Sequence, residues 1–156
     1  MEFQLKTGTI ESTLDDKGRV VIPAPFREHY TDKLVITQGK EECVWVIRAT
    51  TYQKFLSKFK KKCEEEAISP KQIEAFKYQH ESTAFSVEID PKTGRIPIPA
   101  FLRSYAKLTK DCLVVSVSNH LEIWNADSNK KFMEDVRLIN KDTHEKINFF
   151  SEEDEE

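Results

Sequence analysis

Two short segments of the sequence combine acidic, basic and glycine residues at a spacing that suits contact with phosphates or base edges. The first is DDKGR at residues 15–19, and the second is DPKTGR at residues 90–95. A guanidinium group can donate two parallel N–H bonds to a phosphate or to a guanine edge. A neighbouring carboxylate can hold the arginine in one rotamer and so reduce the entropy lost on binding. On its own, such a segment is more often a plain hairpin turn, and it is the recurrence of the segment that favours a binding role.

Each segment is followed by a further arginine, one helical turn beyond an Ile-Pro pair. These arginines are Arg27 and Arg103. If a pseudo-twofold axis relates the two segments, six cations can share one face and contact phosphates together. The candidate DNA-binding residues are these cations and the two acids that would orient them: Asp15, Lys17, Arg19, Arg27, Asp90, Lys92, Arg95 and Arg103.

The two segments belong to a longer internal repeat. IPAPFR at 22–27 aligns with IPAFLR at 98–103, an offset of 76 residues. Further along, VWVI at 44–47 lies opposite LEIW at 121–124. Because the order of matches is kept, a duplicated unit is expected, and two copies are too few for a solenoid. The two halves are therefore predicted to share one core.

Each unit is predicted to contain a strand, a glycine turn, a second strand, a short helix, a strand pair and a closing helix. The alternation over residues 10–14 predicts the first strand, and Gly18 allows a hairpin turn back to the second. Thr50 and Ser69 are predicted helix N-caps, since each has Gln three residues later. Pro97 cannot donate to a β-ladder, so its strand is predicted to lie at an edge.

The composition indicates a cytoplasmic protein whose basic surface is local. The formal net charge is −3, but residues 151–156 contribute five acids, and the remainder has 22 acids against 24 Lys and Arg. The three cysteines, Cys43, Cys63 and Cys112, lack zinc-ligand spacing and are expected to be free thiols. The sequence contains no run of eighteen apolar residues, so no membrane span is predicted.

The sequence does not favour an enzyme. The four histidines are scattered, and no phosphate-binding glycine motif or nucleophile signature is present. No catalytic residue, metal site, cofactor or small-molecule ligand is predicted. His120 is expected to have a turn or packing role, and Trp45 and Trp124 are expected in the core.

The segment LDDKGRVVIPAPFR at 14–27 resembles the signature of the MraZ family of bacterial transcriptional regulators, relatives of AbrB-type swapped-hairpin proteins. That family carries two D-x-x-x-R turns, each followed by I-P-A-x-x-R. HLEIWNADS at 120–128 is also similar to the family's H-F-E-I-W-D segment, and the resemblance extends to about residue 138.

The resemblance implies an α+β fold that is mainly β with helices, a pseudo-twofold double-split β-barrel of two AbrB-like units with flanking helices. The expected division is a first repeat at 1–60, a helical connection at 61–82, a second repeat at 83–138, and an acidic, disordered tail at 139–156. The family assembles into rings, and its members bind short direct repeats in double-stranded promoter DNA ahead of the division and cell-wall gene cluster. Nucleoid association is implied as well.

The resemblance also implies that Arg19 contacts DNA and that Asp15 orients it. The second turn departs from the pattern, because four residues separate Asp90 from Arg95 instead of three. Arg95 could therefore contact bases, contact only phosphates, or support subunit packing. An alternative function is an antitoxin-like interaction module, although the tail SEEDEE lacks apolar anchors.

Overall fold

The computed structural model describes residues 5–148 and Phe150. These residues divide into two compact units, one ending at Asn125 and one beginning at Ala126. The first repeat contains β1 (Gly8–Thr13), β2 (Arg19–Val21), α1 (Ala24–Arg27), β3 (Leu34–Gln38), β4 (Val44–Arg48) and α2 (Ala49–Glu65). After α3 (Pro70–Thr83), the second repeat has the same order: β5 (Phe85–Val87), β6 (Arg95–Pro97), α4 (Ala100–Tyr105), β7 (Asp111–Val117), β8 (His120–Asn125) and α5 (Ala126–Lys146).

The larger sheet is symmetric with respect to the repeat. Its six antiparallel strands lie in the order β1-β7-β8-β4-β3-β5. Exchanging every strand for its equivalent in the other repeat gives the same order reversed. At the centre, β4 and β8 pair with Trp45 opposite Glu122, flanked by Val44 opposite Ile123 and by Val46 opposite Leu121. Trp45 and Glu122 are also equivalent positions in the alignment of 44–47 with 121–124, so the pairing is centred on equivalent residues.

The outer strands of this sheet are exchanged between repeats. β1 pairs with β7 and β5 pairs with β3, while β2 and β6 form a separate two-stranded sheet. The predicted hairpin of β1 with β2 is therefore wrong beyond its tip, where Leu14 and Val20 form an isolated bridge. The reason is that β7 offers β1 a ladder of six residue pairs, more than the three residues of β2 could provide.

The predicted α+β class is confirmed, with antiparallel sheets and five helices in the described part of the chain. Among the described strands, hydrogen bonds do not close the two sheets into one barrel, so the double-split barrel is not confirmed. Pro97 lies in β6, which pairs only with β2, and the predicted edge position is therefore confirmed. No helix in residues 5–148 combines the length and apolar character needed to cross a lipid bilayer.

A single buried core unites both repeats of the first unit. Its fully buried residues come in equivalent pairs, including Val20 with Ile96 and Ile22 with Ile98. All three cysteines are buried free thiols, as the sequence predicts. Trp124 is also buried, whereas Trp45 is only half-buried and lines a cavity of about 250 Å³ beside α2 and α3. The core position predicted for Trp45 is therefore wrong.

The helix starts show one correct and one incorrect prediction. Ser69 forms a capping box with Gln72, as expected, and α3 follows it. Thr50 is not an N-cap, because α2 begins at Ala49, directly after β4. The N–H of Ala49 donates to the carbonyl of Lys33 at 2.9 Å, so the first helical N–H is satisfied without a side-chain cap.

Among the described residues, the second unit consists of the helix α5 and the residues after it. α5 continues to Lys146, and none of its residues is buried. The predicted boundary of the acidic tail at 139 falls inside this helix, since residues 139–146 are helical. The acidic residues at 152–156 lie outside the described residues.

Candidate nucleic-acid interface

The two-stranded sheet places two arginines on its outer face. β2 and β6 pair with Val20 opposite Ile96, and both side chains are fully buried. Because side chains alternate along a strand, Arg19 and Arg95 project to the opposite face. Arg19 lies across from Pro97. Because proline has no backbone N–H, it cannot donate a hydrogen bond to a further strand at this position. Burial of the central pair therefore fixes both arginines toward the surface.

The first turn closes tightly on its acid. The N–H of Asp15 donates to the carbonyl of Arg19 at 2.8 Å, and the N–H of Gly18 donates back to the carbonyl of Asp15 at 3.1 Å. Gly18 has a φ of 79°, which a residue with a Cβ rarely adopts. The Asp15 carboxylate accepts the N–H groups of Lys17 and Arg19 on Oδ1 and the Arg19 Nε–H on Oδ2, at 3.0, 2.9 and 2.9 Å.

These bonds lower the pKa of Asp15 below its ordinary value of 3.8. The main cause is the hydrogen bond from the Arg19 backbone, and the Arg19 side chain adds to it. Hydrogen bonds to the charged form of a carboxyl favour that form. Asp15 is therefore ionised at neutral pH and presents a fixed acceptor to arginine.

The second turn has the same outline and one more residue. The N–H of Asp90 donates to the carbonyl of Arg95 at 2.9 Å, and that of Gly94 donates to the carbonyl of Asp90 at 2.8 Å. The Asp90 carboxylate accepts the Lys92 N–H at 2.8 Å, and this bond is the main cause of its lowered pKa. The extra residue is therefore accommodated inside the turn, and the strand after it keeps its register.

Two reciprocal backbone bonds join the turns. The N–H of Ile22 donates to the carbonyl of Gly94 at 2.7 Å, and the N–H of Ile98 donates to the carbonyl of Gly18 at 2.9 Å. Each strand therefore ends on the turn of the other repeat. The structure places the two acid–arginine turns, residues 15–19 and 90–95, side by side, as the repeat in the sequence predicts.

The two downstream arginines pack on the glycines of the opposite turns. The guanidinium group of Arg27 lies against Gly94, and that of Arg103 lies against Gly18. In both cases a Cβ added to the glycine would overlap the guanidinium group. The glycines are therefore required for close approach as well as for positive φ. This packing is not predicted from the sequence, where the only signal for it is the equal spacing of glycine and arginine in both repeats.

The same two arginines also donate to backbone carbonyls at the ends of their own strands. Arg27 Nε donates to the carbonyl of Ile22 at 2.6 Å, and Arg103 Nη1 donates to that of Ile98 at 2.5 Å. From the sequence, both arginines are predicted to contact DNA. In the structure they join the two turns, and both residues are half-buried.

The side chains of the first and second turns meet at one carboxylate oxygen. Oδ2 of Asp15 accepts the Arg19 Nε–H at 2.9 Å and lies 3.4 Å from the Nε of Arg95. The Arg95 contact is an ion pair without hydrogen-bond geometry. Among the described residues, the acid of the second turn, Asp90, forms no ion pair with Arg95.

The lysines occupy the exposed parts of the turns. Lys17 and Lys92 are both exposed, and each backbone N–H is held by the acid two residues earlier. The surface thus presents two positioned arginines and two exposed lysines beside the two-stranded sheet. Such a surface can contact the phosphates of a nucleic acid and one or two base edges.

The histidines belong to no metal-ligand cluster in residues 5–148. No group of three or more potential metal ligands occurs among the described residues. His120 Nε2 lies 2.9 Å from Oε2 of Glu122, which also accepts the indole N–H of Trp45 at 3.3 Å. Burial alone would raise the pKa of Glu122, but hydrogen bonds from His120 and both tryptophans lower it overall. This contact is consistent with the packing role predicted for His120.

A duplicated α+β unit with two interlocked acid–arginine turns defines a class of two-repeat α+β proteins. The model of one family, described as "MraZ protein, putative antitoxin-like", matches residues 5–70 and 82–149. The two matched segments cover most of the chain and divide it at the α3 connection. The chain therefore belongs to the MraZ family, which confirms the resemblance seen in the sequence.

Proposed function

We propose that this protein is a sequence-specific DNA-binding transcriptional regulator. In this proposal it acts as a homo-oligomer on short direct repeats in the promoter of the division and cell-wall gene cluster. The main support is the outward face of β2–β6, where Arg19 and Arg95 are held beside Asp15. Membership in the MraZ family supports a regulator-like role. The protein is then a binding protein and not an enzyme, and it needs no cofactor.

The small number of cations explains why several protomers are needed. Each neutralised phosphate releases about 0.9 counterion, so a surface with a few cations binds weakly by itself. Several protomers that engage evenly spaced repeats at once multiply these weak contacts through effective concentration. The proposal therefore requires both an oligomer and a repeated operator, and a nucleoid-associated location follows from it.

Fluorescence anisotropy with two duplexes tests the proposal. One duplex carries promoter direct repeats, and the other carries the same bases scrambled. We expect the repeat duplex to bind more tightly at each salt concentration. Arg19→Ala should cost about 1–3 kcal/mol per engaged site on the repeat duplex, and less on the scrambled one. Lys17→Ala should weaken both equally and reduce the salt slope by about one.

Lys71→Ala provides the matched control, because this exposed lysine lies at the start of α3 and outside the turns. It removes one positive charge and should leave both affinities nearly unchanged. Equal affinity of the unaltered protein for both duplexes would refute sequence-specific binding. Light scattering after gel filtration measures the oligomer, and a strictly monomeric protein that still prefers the repeats would refute the proposed assembly.

A second candidate function is a protein-interaction module of the antitoxin kind. The family description includes this relation. On α5, Leu138 and Ile139 are 73% and 75% exposed and could serve as apolar anchors ahead of the acidic residues. Leu138→Asp combined with Ile139→Asp should abolish capture of such a partner and leave DNA binding by the turns intact. Loss of partner capture by Arg19→Ala would instead argue against this candidate.

A further inference from the structure

The two turns share one acid, and this sharing breaks the symmetry between the repeats. Asp15 has its Oδ1 occupied by two backbone N–H groups, which fixes the direction of Oδ2. That oxygen contacts Arg19 and lies 3.4 Å from Arg95. The Nε of Arg95 is buried and has no hydrogen-bond acceptor of its own among the described residues. Among the described residues, Asp15 is therefore the acid with which Arg95 forms an ion pair.

We propose that Asp15 is the positioning residue for both arginines, so that the two turns act as one DNA-contacting unit. Asp90 shapes the backbone of its own turn and does not orient Arg95. This inference rests on the proposed DNA binding and deepens it. It assigns Arg95 a direct DNA contact that depends on the acid of the other repeat.

The geometry also limits the stretch of DNA that one protomer can read. The two arginine Nε atoms are separated by no more than the sum of their distances to Oδ2, about 6.3 Å. Successive base pairs rise by about 3.4 Å along each strand. Arg19 and Arg95 therefore contact the same or neighbouring base pairs, within about three base pairs of one another. One protomer reads one short element of the repeat with both turns.

A double-mutant cycle on the full-length protein tests the shared acid. Asp15→Asn removes the charge and keeps a side-chain oxygen for the backbone N–H groups, so the turn is retained. In the unaltered protein, Arg95→Ala should weaken binding to the repeat duplex about 5- to 150-fold, as for one base contact. In the Asp15→Asn background, the same change should weaken binding only about twofold. The matched background Asp90→Asn should leave the full cost of Arg95→Ala.

A nitrogen-15 spectrum of the arginine side chains gives a readout that does not need DNA. Asp15→Asn should shift the Nε–H signals of both Arg19 and Arg95, while Asp90→Asn should leave the Arg95 signal in place. Arg95 coupling to Asp90 instead of Asp15 would overturn the inference, and so would a full cost of Arg95→Ala in both backgrounds. A variant that failed to fold would lose all dispersed signals, and Asp15→Ser would then replace it, since serine is uncharged and its hydroxyl oxygen can still accept the backbone N–H groups.

Base substitutions in the repeat test the footprint. The positions at which Arg19→Ala and Arg95→Ala relax specificity should lie within about three base pairs. Positions more than about five base pairs apart would overturn the single-unit inference. If the unaltered protein prefers the repeats but shows neither coupling nor neighbouring positions, this inference fails and the proposed function stands. If the unaltered protein shows no preference, both fail.

Discussion

The turn at residues 15–19 and the turn at 90–95 have the same role in the repeat and different contacts around their acids. Asp15 binds two backbone N–H groups and the side chain of Arg19, and it lies beside Arg95. Asp90 accepts the Lys92 N–H and is more exposed. The longer second turn shifts its acid away from the arginine that follows. A single inserted residue has therefore changed the side-chain contacts of one copy.

The backbone contacts between the turns have remained symmetric. Ile22 and Ile98 each donate to the glycine of the opposite turn, at 2.7 and 2.9 Å. Both N–H groups belong to fully buried residues, and an unpaired buried N–H costs about 1–3 kcal/mol. The hydrogen bonds of the buried backbone are thus the same in both repeats, while the side-chain contacts of the two acids differ.

The largest expected effect concerns the buried pair that both turns share. Ile96→Ala removes a fully buried side chain opposite Val20. We expect a loss of about 2–5 kcal/mol in the free energy of unfolding, measured by urea denaturation. Because the pair lies beneath both turns, amide signals of Gly18 and Gly94 should move together. Displacement of the second turn alone would show that the turns are independent.

The next largest effect concerns the two glycines. Gly18→Ala should destabilise the protein by about 1–2 kcal/mol through its positive φ, and more because its Cβ displaces Arg103. Thermal unfolding measures the loss. Gly8→Ala is the matched control, since Gly8 has a φ of 133° and open space around its Cβ position. Its loss of thermal stability should reflect the positive φ alone, without a packing contact.

The packing part of this cost can be separated. An Arg103→Ala background removes the three atoms nearest to a Cβ at position 18, so Gly18→Ala should cost less than in the unaltered protein. The same relief is expected for Gly94→Ala when Arg27→Ala is present. If the costs simply add in both pairs, the arginines do not constrain the glycines and the turns do not interlock as described.

The repeat in the sequence predicts more of the fold than any single segment does. The alignment of Val44–Ile47 with Leu121–Trp124 places the equivalent strands correctly, and these strands pair at the centre of the sheet. The alternation over residues 10–14 correctly gives a strand, because that pattern depends only on which face is buried. These features are local or follow directly from duplication.

The partners of the outer strands could not be predicted from the repeat. The alternation of β1 indicates which of its faces is buried but not which strand it pairs with, and the longer ladder on β7 belongs to the other repeat. Likewise, Arg27 and Arg103 look like exposed cations in a sequence, since their contacts with Gly94 and Gly18 cross between repeats. The Asp15–Arg95 contact is of the same kind. Equal spacing in the two units shows that these residues are equivalent, but it does not show that they contact the opposite repeat.

A smaller effect is expected when the second turn is shortened. Deletion of Thr93 restores three residues between Asp90 and Arg95, the spacing of the first turn. Asp90 should then contact its own arginine, and Arg95 should no longer depend on Asp15. We expect affinity for the repeat duplex to change by about two- to fivefold. In the double-mutant cycle, Asp15→Asn should no longer reduce the cost of Arg95→Ala, and persistent coupling would contradict this explanation.

The smallest effect is expected in the acid range of pH. The pKa of Asp15 is lowered from 3.8 by hydrogen bonds that form only in the folded state, so its folded value lies below its unfolded one. Its contribution to stability is therefore present above about pH 4 and is lost as the pH falls through the folded pKa. Asp15→Asn removes the contribution, so the stability gap to the unaltered protein should narrow between pH 5 and pH 2.5 in urea titrations. Asp16→Asn removes a neighbouring exposed charge as the control. A gap for Asp15→Asn that stays constant over this range would show that the carboxylate bonds of the first turn add no net stability, and the contrast between the two acids would then concern DNA contact alone.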